Sequence, residues 1–272
     1  MSADPFSEEE AGGREATRGG IQSLDMALQV LQALARMPQP ATLSELARRC
    51  DMPPSKVHRY LASFINAGLV GQRHRSGRYE LGRGAVELGV AAMGRLDIVN
   101  NAADRLEEIV DATGAAVLLA VWGNQGPVVV RWHRHASFVV TSLGLGTTLP
   151  LLNSATGRIF MAFGERRMMA ARIEEEVARA AKLKLSWPDL APKLRSVEAL
   201  CAKLRQAGYA AVDGRFIPGL NAISAPVLNW QGEAEAAITI TSGDRGLVDP
   251  RSPALSLLRG ICAELSTHGA SS

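Results

Sequence analysis

Thr42-Leu43-Ser44-Glu45-Leu46-Ala47-Arg48-Arg49-Cys50-Asp51-Met52-Pro53-Pro54-Ser55-Lys56-Val57-His58-Arg59-Tyr60-Leu61 decides how the N-terminal part of the chain is read. Thr42 to Glu45 matches a capping box, so a helix opens there with Leu43, Leu46 and Ala47 inward. It stops around Cys50-Asp51, and Met52-Pro53-Pro54 makes a short turn whose prolines pre-set the next helix. That helix runs from about Ser55 to Ala67, with Val57, Leu61 and Ile65 toward a core and Ser55, Lys56, His58 and Arg59 elsewhere on its first turns. Two short helices joined by a tight turn, the second basic at its start, is the helix-turn-helix layout. A recognition helix points its N-terminal residues into the major groove, where short Ser and long Lys and Arg side chains reach bases or phosphates.

The flanks complete the module. Ile21, Leu24, Met26, Ala27, Val30, Leu31 and Leu34 recur at helical spacing, so 22–36 reads as an amphipathic helix that ends before Met37-Pro38-Gln39-Pro40. Beyond the third helix, Gly68 to Arg73 and Arg78 to Leu81 are β-like around the basic turn His74-Arg75-Ser76-Gly77, a hairpin wing. The expected DNA-contacting residues are Ser44, Ser55, Lys56, His58 and Arg59 on the helices, with Arg75 and Arg78 on the wing.

Charge supports that placement. The 272 residues carry a net charge of +3, unevenly spread: −3 over residues 1–20, +5 over 21–85 and +1 over 86–272. Concentration of positive charge in one segment is the electrostatic footprint of a nucleic-acid-binding module. At 47% hydrophobic and 21% charged, the composition excludes a disordered or collagen-like chain. No apolar run is long enough to span a bilayer, and the acidic N-terminus has no apolar signal-peptide core. Three scattered cysteines, Cys50, Cys201 and Cys262, without a CxxC pair, point to a reducing cytoplasm.

In several stretches the chain resembles the IclR family of transcriptional regulators. They are Ile21 to Asp25, Leu43 to Ala47, Pro54 to Leu61, Gly68-Leu69-Val70 and Gly77 to Gly82. The family's recognition helix usually has Thr after the Ser, where this chain has Lys56. The resemblance continues through Gly146 to Leu151, Ser154 to Arg158, Gly208 to Asp213, Pro218 to Val227 and Ala237 to Thr241. It implies an effector-binding, GAF-like second domain, a homodimer or homotetramer, and binding to a double-stranded operator modulated by a small molecule. Carried over residue by residue, the ligand contacts fall at Ala155, Thr156, Asp213 at the Val212-Asp213 strand end, Ala222, Thr239 and Thr241. Where relatives that respond to small oxo acids tend to carry an acid and a cysteine, this chain has Val212 and Ala222, which favours a partly apolar carboxylate, such as an aromatic one.

The second region itself reads as an α+β domain on an antiparallel sheet. Strands are expected at 115–121, 127–132, 209–213, 222–228 and 236–241, with short ones at 138–140 and 147–151. Helices are expected at 154–163, 165–180, 193–207 and 253–267. The expected organisation is therefore a disordered leader 1–20, a winged helix-turn-helix 21–84, a linker helix 85–103, an effector-binding domain 104–267 and a tail 268–272. Backbone N–H groups at the helix start near Ala155-Thr156 suit a carboxylate, and Thr239 and Thr241 share a sheet face.

Other chemistries are weakly signalled. His133 and His135 face one way on a strand, but no Cys or carboxylate completes a metal set, and no metal or other cofactor is expected. Gly144-Leu145-Gly146 lacks the third glycine of a dinucleotide fingerprint, and neither GxSxG nor a phosphate-binding loop occurs. An enzyme of small-molecule chemistry with an incidental basic N-terminus, and an interaction adaptor that has lost DNA binding, are the alternatives to a regulator.

Overall fold

The structure is a computed structural model that describes residues 21–73, 76–94, 97–134, 143–214 and 217–268. The chain divides into two units, residues 1–93 and 94–272. The leader 1–20, Arg75, His135, the 138–140 segment and residues 269–272 lie outside the described residues.

The first unit holds α1 (Gln22–Ala35), α2 (Leu43–Cys50), α3 (Pro54–Asn66), β1 (Val70–Gln72), β2 (Tyr79–Leu81) and α4 (Arg83–Met93). The capping box forms: Thr42 Oγ1 accepts from Glu45 N at 3.3 Å, and Glu45 accepts from Thr42 N at 2.7 Å. α2 ends at Asp51, whose left-handed φ of 51° is a conformation that Asp tolerates better than most residues. Val30, Leu34, Leu46, Val57, Leu61, Phe64, Val70 and Tyr79 form one core. Phe64, not Ile65, is the third inward residue of α3, and Ile65 is exposed. Counted from Val57 at 100° per residue, Phe64 comes back within about 20° of it, whereas Ile65 lies about 80° away. Ala41 and Tyr79 exchange two backbone hydrogen bonds, so the segment before α2 adds a third edge to the hairpin. A Cβ at Gly82 would run into the Gly68 backbone, so strand β2 can turn into α4 only through a glycine. The segment 85–103 contains most of α4 and a separate short α5 (Asp97–Asn101) in the second unit.

The second unit continues with α6 (Ala103–Thr113), β3 (Ala116–Gly123), β4 (Gly126–His133), α7 (Ala155–Phe163), α8 (Arg166–Lys182), α9 (Leu194–Ala207), β5 (Ala210–Asp213), β6 (Asn221–Leu228), β7 (Ala234–Ser242) and α10 (Pro253–His268). The strands form one antiparallel sheet in the order β4-β3-β7-β6-β5. α7 packs on one face, backed by α8 and α9, and α6 and α10 pack on the other. Cover on both faces explains why β6 is buried almost end to end instead of alternating. The 147–151 segment is not a strand: it makes a single bridge, Val128 to Thr148, and Pro150 has no N–H with which to extend a ladder.

Candidate functional site

Two surfaces concern function. On the first unit, Ser55 and Arg59 are exposed on the side of α3 opposite Val57, Leu61 and Phe64, and His58 is exposed at one flank of it. Lys56 sits at the flank of that face, half-buried, its Nζ 2.8 Å from the sulfur of Met26 on α1. Ser44 and Arg48, exposed on α2, lie across an open concavity from Asp51 to Pro54 in the turn. Arg78 is engaged within the unit: Nη1 donates to the Pro40 carbonyl at 2.8 Å and to Glu45 at 3.3 Å, which ties the wing to the capping box. The Glu45 carboxyl is held below its ordinary range, first by the Thr42 backbone N–H, then by the Thr42 side chain, with Arg78 and Arg48 adding to the effect. Arg73 pairs with Glu80 across the hairpin at 2.8 Å.

On the second unit, a pocket opens where the first turn of α7 meets the sheet. Ala155, Thr156, Ala222, Thr239 and Thr241 all line it, so the structure brings together five of the six ligand residues expected from the sequence. The sixth, Asp213, is exposed, and Val212 takes its place in the lining. Strand alternation is the reason: Val212 pairs with Ala222 on the pocket face, which turns Asp213 to the other side. Leu118, Leu143, Leu149, Ile217 and Leu220 close the walls, and among the described residues no charged side chain lines it. The space left between them is about 30 Å³, room for a water molecule or two and no more.

Hydroxyl groups cross the pocket floor. Register places Leu118, Thr239 and Ser224 in one row across three strands. Thr156 Oγ1 lies 2.7 Å from Thr239 Oγ1, which donates to Ser224 Oγ at 2.8 Å. Ser154 caps α7 by accepting from Gly157 N at 2.9 Å while its own hydroxyl donates to the Pro150 carbonyl at 2.6 Å. The N–H groups of Ala155 and Thr156 begin the helix, where the dipole and free donors favour an anion.

Two buried charges set that helix start in place. Glu176, on α8 and 4% exposed, accepts from Leu151 N at 2.9 Å and from Leu152 N at 3.3 Å. Arg158, 1% exposed, donates to the Leu152 carbonyl and forms a two-pronged pair with Asp189 at 2.7 and 3.1 Å. A Cβ on Gly157 would come within 2.6 Å of Leu151 Cα, so the turn and the helix touch only because that position is glycine. Sequence reasoning missed Glu176, Arg158 and Ser224: each acts through tertiary contacts, and nothing local marks them. Among the described residues, no cluster of three or more His, Cys, Asp or Glu could hold a metal, and no helix is long and apolar enough to cross a membrane.

A family model for the IclR helix-turn-helix domain matches residues 23–74, and one for the C-terminal domain of bacterial IclR transcriptional regulators matches residues 90–260. The HTH-type transcriptional regulator BhcR of Paracoccus denitrificans is 28% identical over 248 residues, 90% of this chain and 86% of that protein. The crystal structure of Pseudomonas aeruginosa HmgR has 32% identity and a TM-score of 0.69, covering 92% of this chain and 100% of that one. An IclR homolog from Microbacterium hydrocarbonoxydans, solved in complex with 4-hydroxybenzoate, shares the fold at a TM-score of 0.71 and 21% identity, covering 92% and 100%.

Proposed function

From the premise that this chain belongs to the IclR family and is a DNA-binding transcriptional regulator, we propose that its second unit senses a small carboxylate and tunes operator affinity. The observation that carries this reading is the convergence of the α7 N-terminus, Thr156, Thr239 and Thr241 on one pocket with apolar walls. The helix start supplies backbone donors for the carboxylate, and the leucines, Ile217 and Val212 suit an apolar or aromatic body. That the homolog from M. hydrocarbonoxydans was solved with 4-hydroxybenzoate supports an aromatic acid. A cavity that takes benzene has about 150 Å³. The lining therefore has to open to admit a ring.

On the DNA side, Ser44, Ser55, Lys56, His58 and Arg59 form the contacting set, with Arg75 on the wing. Arg78 serves the wing by holding it to Pro40 and Glu45. The protein acts as a homodimer or homotetramer in the cytoplasm. Exposed apolar residues at and along the start of α1 (Ile21 at its N-cap, Leu24 and Leu28 within it) and on α4 (Val86, Leu88, Val90) support self-association of the first unit. The effector acts by linkage, favouring one arrangement of the paired DNA-binding units over another.

A thermal-shift screen against aromatic and aliphatic carboxylates tests the sensor, since a ligand bound only by the folded state raises the melting temperature. An operator titration with Arg59→Ala tests the reading head. Affinity is expected to fall and the slope of log K against log salt to shrink by about 1. Wild-type affinity and slope would refute the assignment of α3.

A further inference from the structure

The hydroxyl row on the pocket floor has a direction. Ser224, 0% exposed, donates its proton to the Ile238 carbonyl at 3.2 Å, an oxygen that can only accept. With that proton committed, Thr239 must donate to Ser224, and Thr156 must then donate to Thr239. The row therefore runs from Thr156 through Thr239 and Ser224 to the Ile238 carbonyl, and Thr156 offers the pocket lone pairs alone. Thr241, two residues along β7 on the same face, sends its own proton to the Ala116 carbonyl at 3.4 Å. Among the described residues, the donors that face the pocket are thus the backbone N–H groups of Ala155 and Thr156, and its hydroxyl oxygens are acceptors.

We propose that this pocket selects carboxylates that also carry a hydroxyl group. The carboxylate accepts from the α7 N-terminus, and the ligand's hydroxyl donates to the oxygen of Thr156. An oxo or ether oxygen at that place meets another acceptor. It can be satisfied only if Thr156 withdraws its proton from Thr239, which leaves that buried oxygen without a donor, or if the whole row reverses and Ser224 gives up the Ile238 carbonyl. Ser224 does not line the pocket; it is a positioning residue that sets specificity through Thr239. The inference rests on the reading of this pocket as a carboxylate site.

Calorimetric titration of the full chain with two matched series tests it: mandelate, phenylacetate and phenylglyoxylate; and 4-hydroxybenzoate, benzoate and 4-methoxybenzoate. In at least one series the hydroxy acid is expected to bind about tenfold more tightly than its two analogues, the usual scale of one well-placed hydrogen bond. Ser224→Ala releases the Thr239 proton toward Thr156 and lets Thr156 donate, so the preference over phenylglyoxylate and 4-methoxybenzoate should shrink to about twofold. It should do so through a gain by the acceptor-only analogues, a result that simple loss of packing would not produce. Thr156→Val should abolish the preference while the carboxylates still bind. Unliganded melting curves check that both variants fold. Carboxylate binding without a hydroxyl preference, or an unchanged preference in Ser224→Ala, overturns the proton-order inference alone. If none of the six acids binds, the carboxylate-site reading falls with it.

Discussion

Removing the Glu176 carboxylate measures how strongly the start of α7 is held. Its oxygens accept from Leu151 N and Leu152 N, whose residues are 0% and 2% exposed, so no solvent replaces the bonds. Hydrogen bonds to a charged acceptor contribute about 1.5–3 kcal/mol each. Glu176→Ala loses two and leaves both N–H groups unsatisfied, while Arg172 keeps Glu175 at 2.8 Å as a partner. A net loss of about 4 kcal/mol follows, which for a domain of this size lowers the melting temperature by roughly 8–16 °C. Glu176→Gln retains one acceptor oxygen of the right shape without the charge, and about half that loss is expected, since charge-assisted bonds are about twice as strong. All four tryptophans, Trp122, Trp132, Trp187 and Trp230, lie in the second unit, so their fluorescence follows its unfolding alone. DNA binding well below the transition should be unchanged. If Glu176→Ala melts within about 2 °C of wild type, the clamp on the pocket helix is not a source of stability and the reasoning fails.

Three further outcomes follow from the contacts described. Gly157→Ala places a methyl against the Pro150–Leu151 backbone, so it should destabilise the second unit by at least about 2 kcal/mol and weaken carboxylate binding. A wild-type melt would show that the turn yields freely. Arg78→Ala should lower operator affinity without changing the salt slope, because its guanidinium is bonded inside the unit. A slope reduced by about 1 would make it a phosphate contact instead. Burial pushes the Cys262 thiol up to about 12, against 9.0 for an ordinary thiol. Folding thus favours its protonated form, an advantage fully present below pH 9 and lost as pH rises from 9 toward 12. At pH 8, alkylation of the native protein should label half-exposed Cys50 well before Cys262, and equal rates would contradict the burial.

Much of the first unit was legible in the chain because its signals are local. The Thr42–Glu45 box, the prolines at 53 and 54 and the glycine-bounded hairpin each specify geometry within a few residues. Phe64 rather than Ile65 is buried because the apolar stripe drifts around a helix, and one residue's offset decides which side chain meets the core. The ligand residues were legible only through resemblance to a family. Thr239 and Thr241 alone are ordinary strand residues, and strand parity put Val212 rather than Asp213 at the pocket.

Sequence by itself determined the winged helix-turn-helix, the concentration of positive charge on it and the succession of strands and helices behind it. Those depend on periodicity, capping and turn chemistry, which act over one or two turns of chain. Tertiary structure decided which hydroxyls meet, which way their protons run and what holds the pocket helix. Thr156 and Thr239 are 83 residues apart, and Glu176 reaches Leu151 across 25. Only strand register and helix packing bring such atoms within 3 Å, where a hydrogen bond acquires partner and direction.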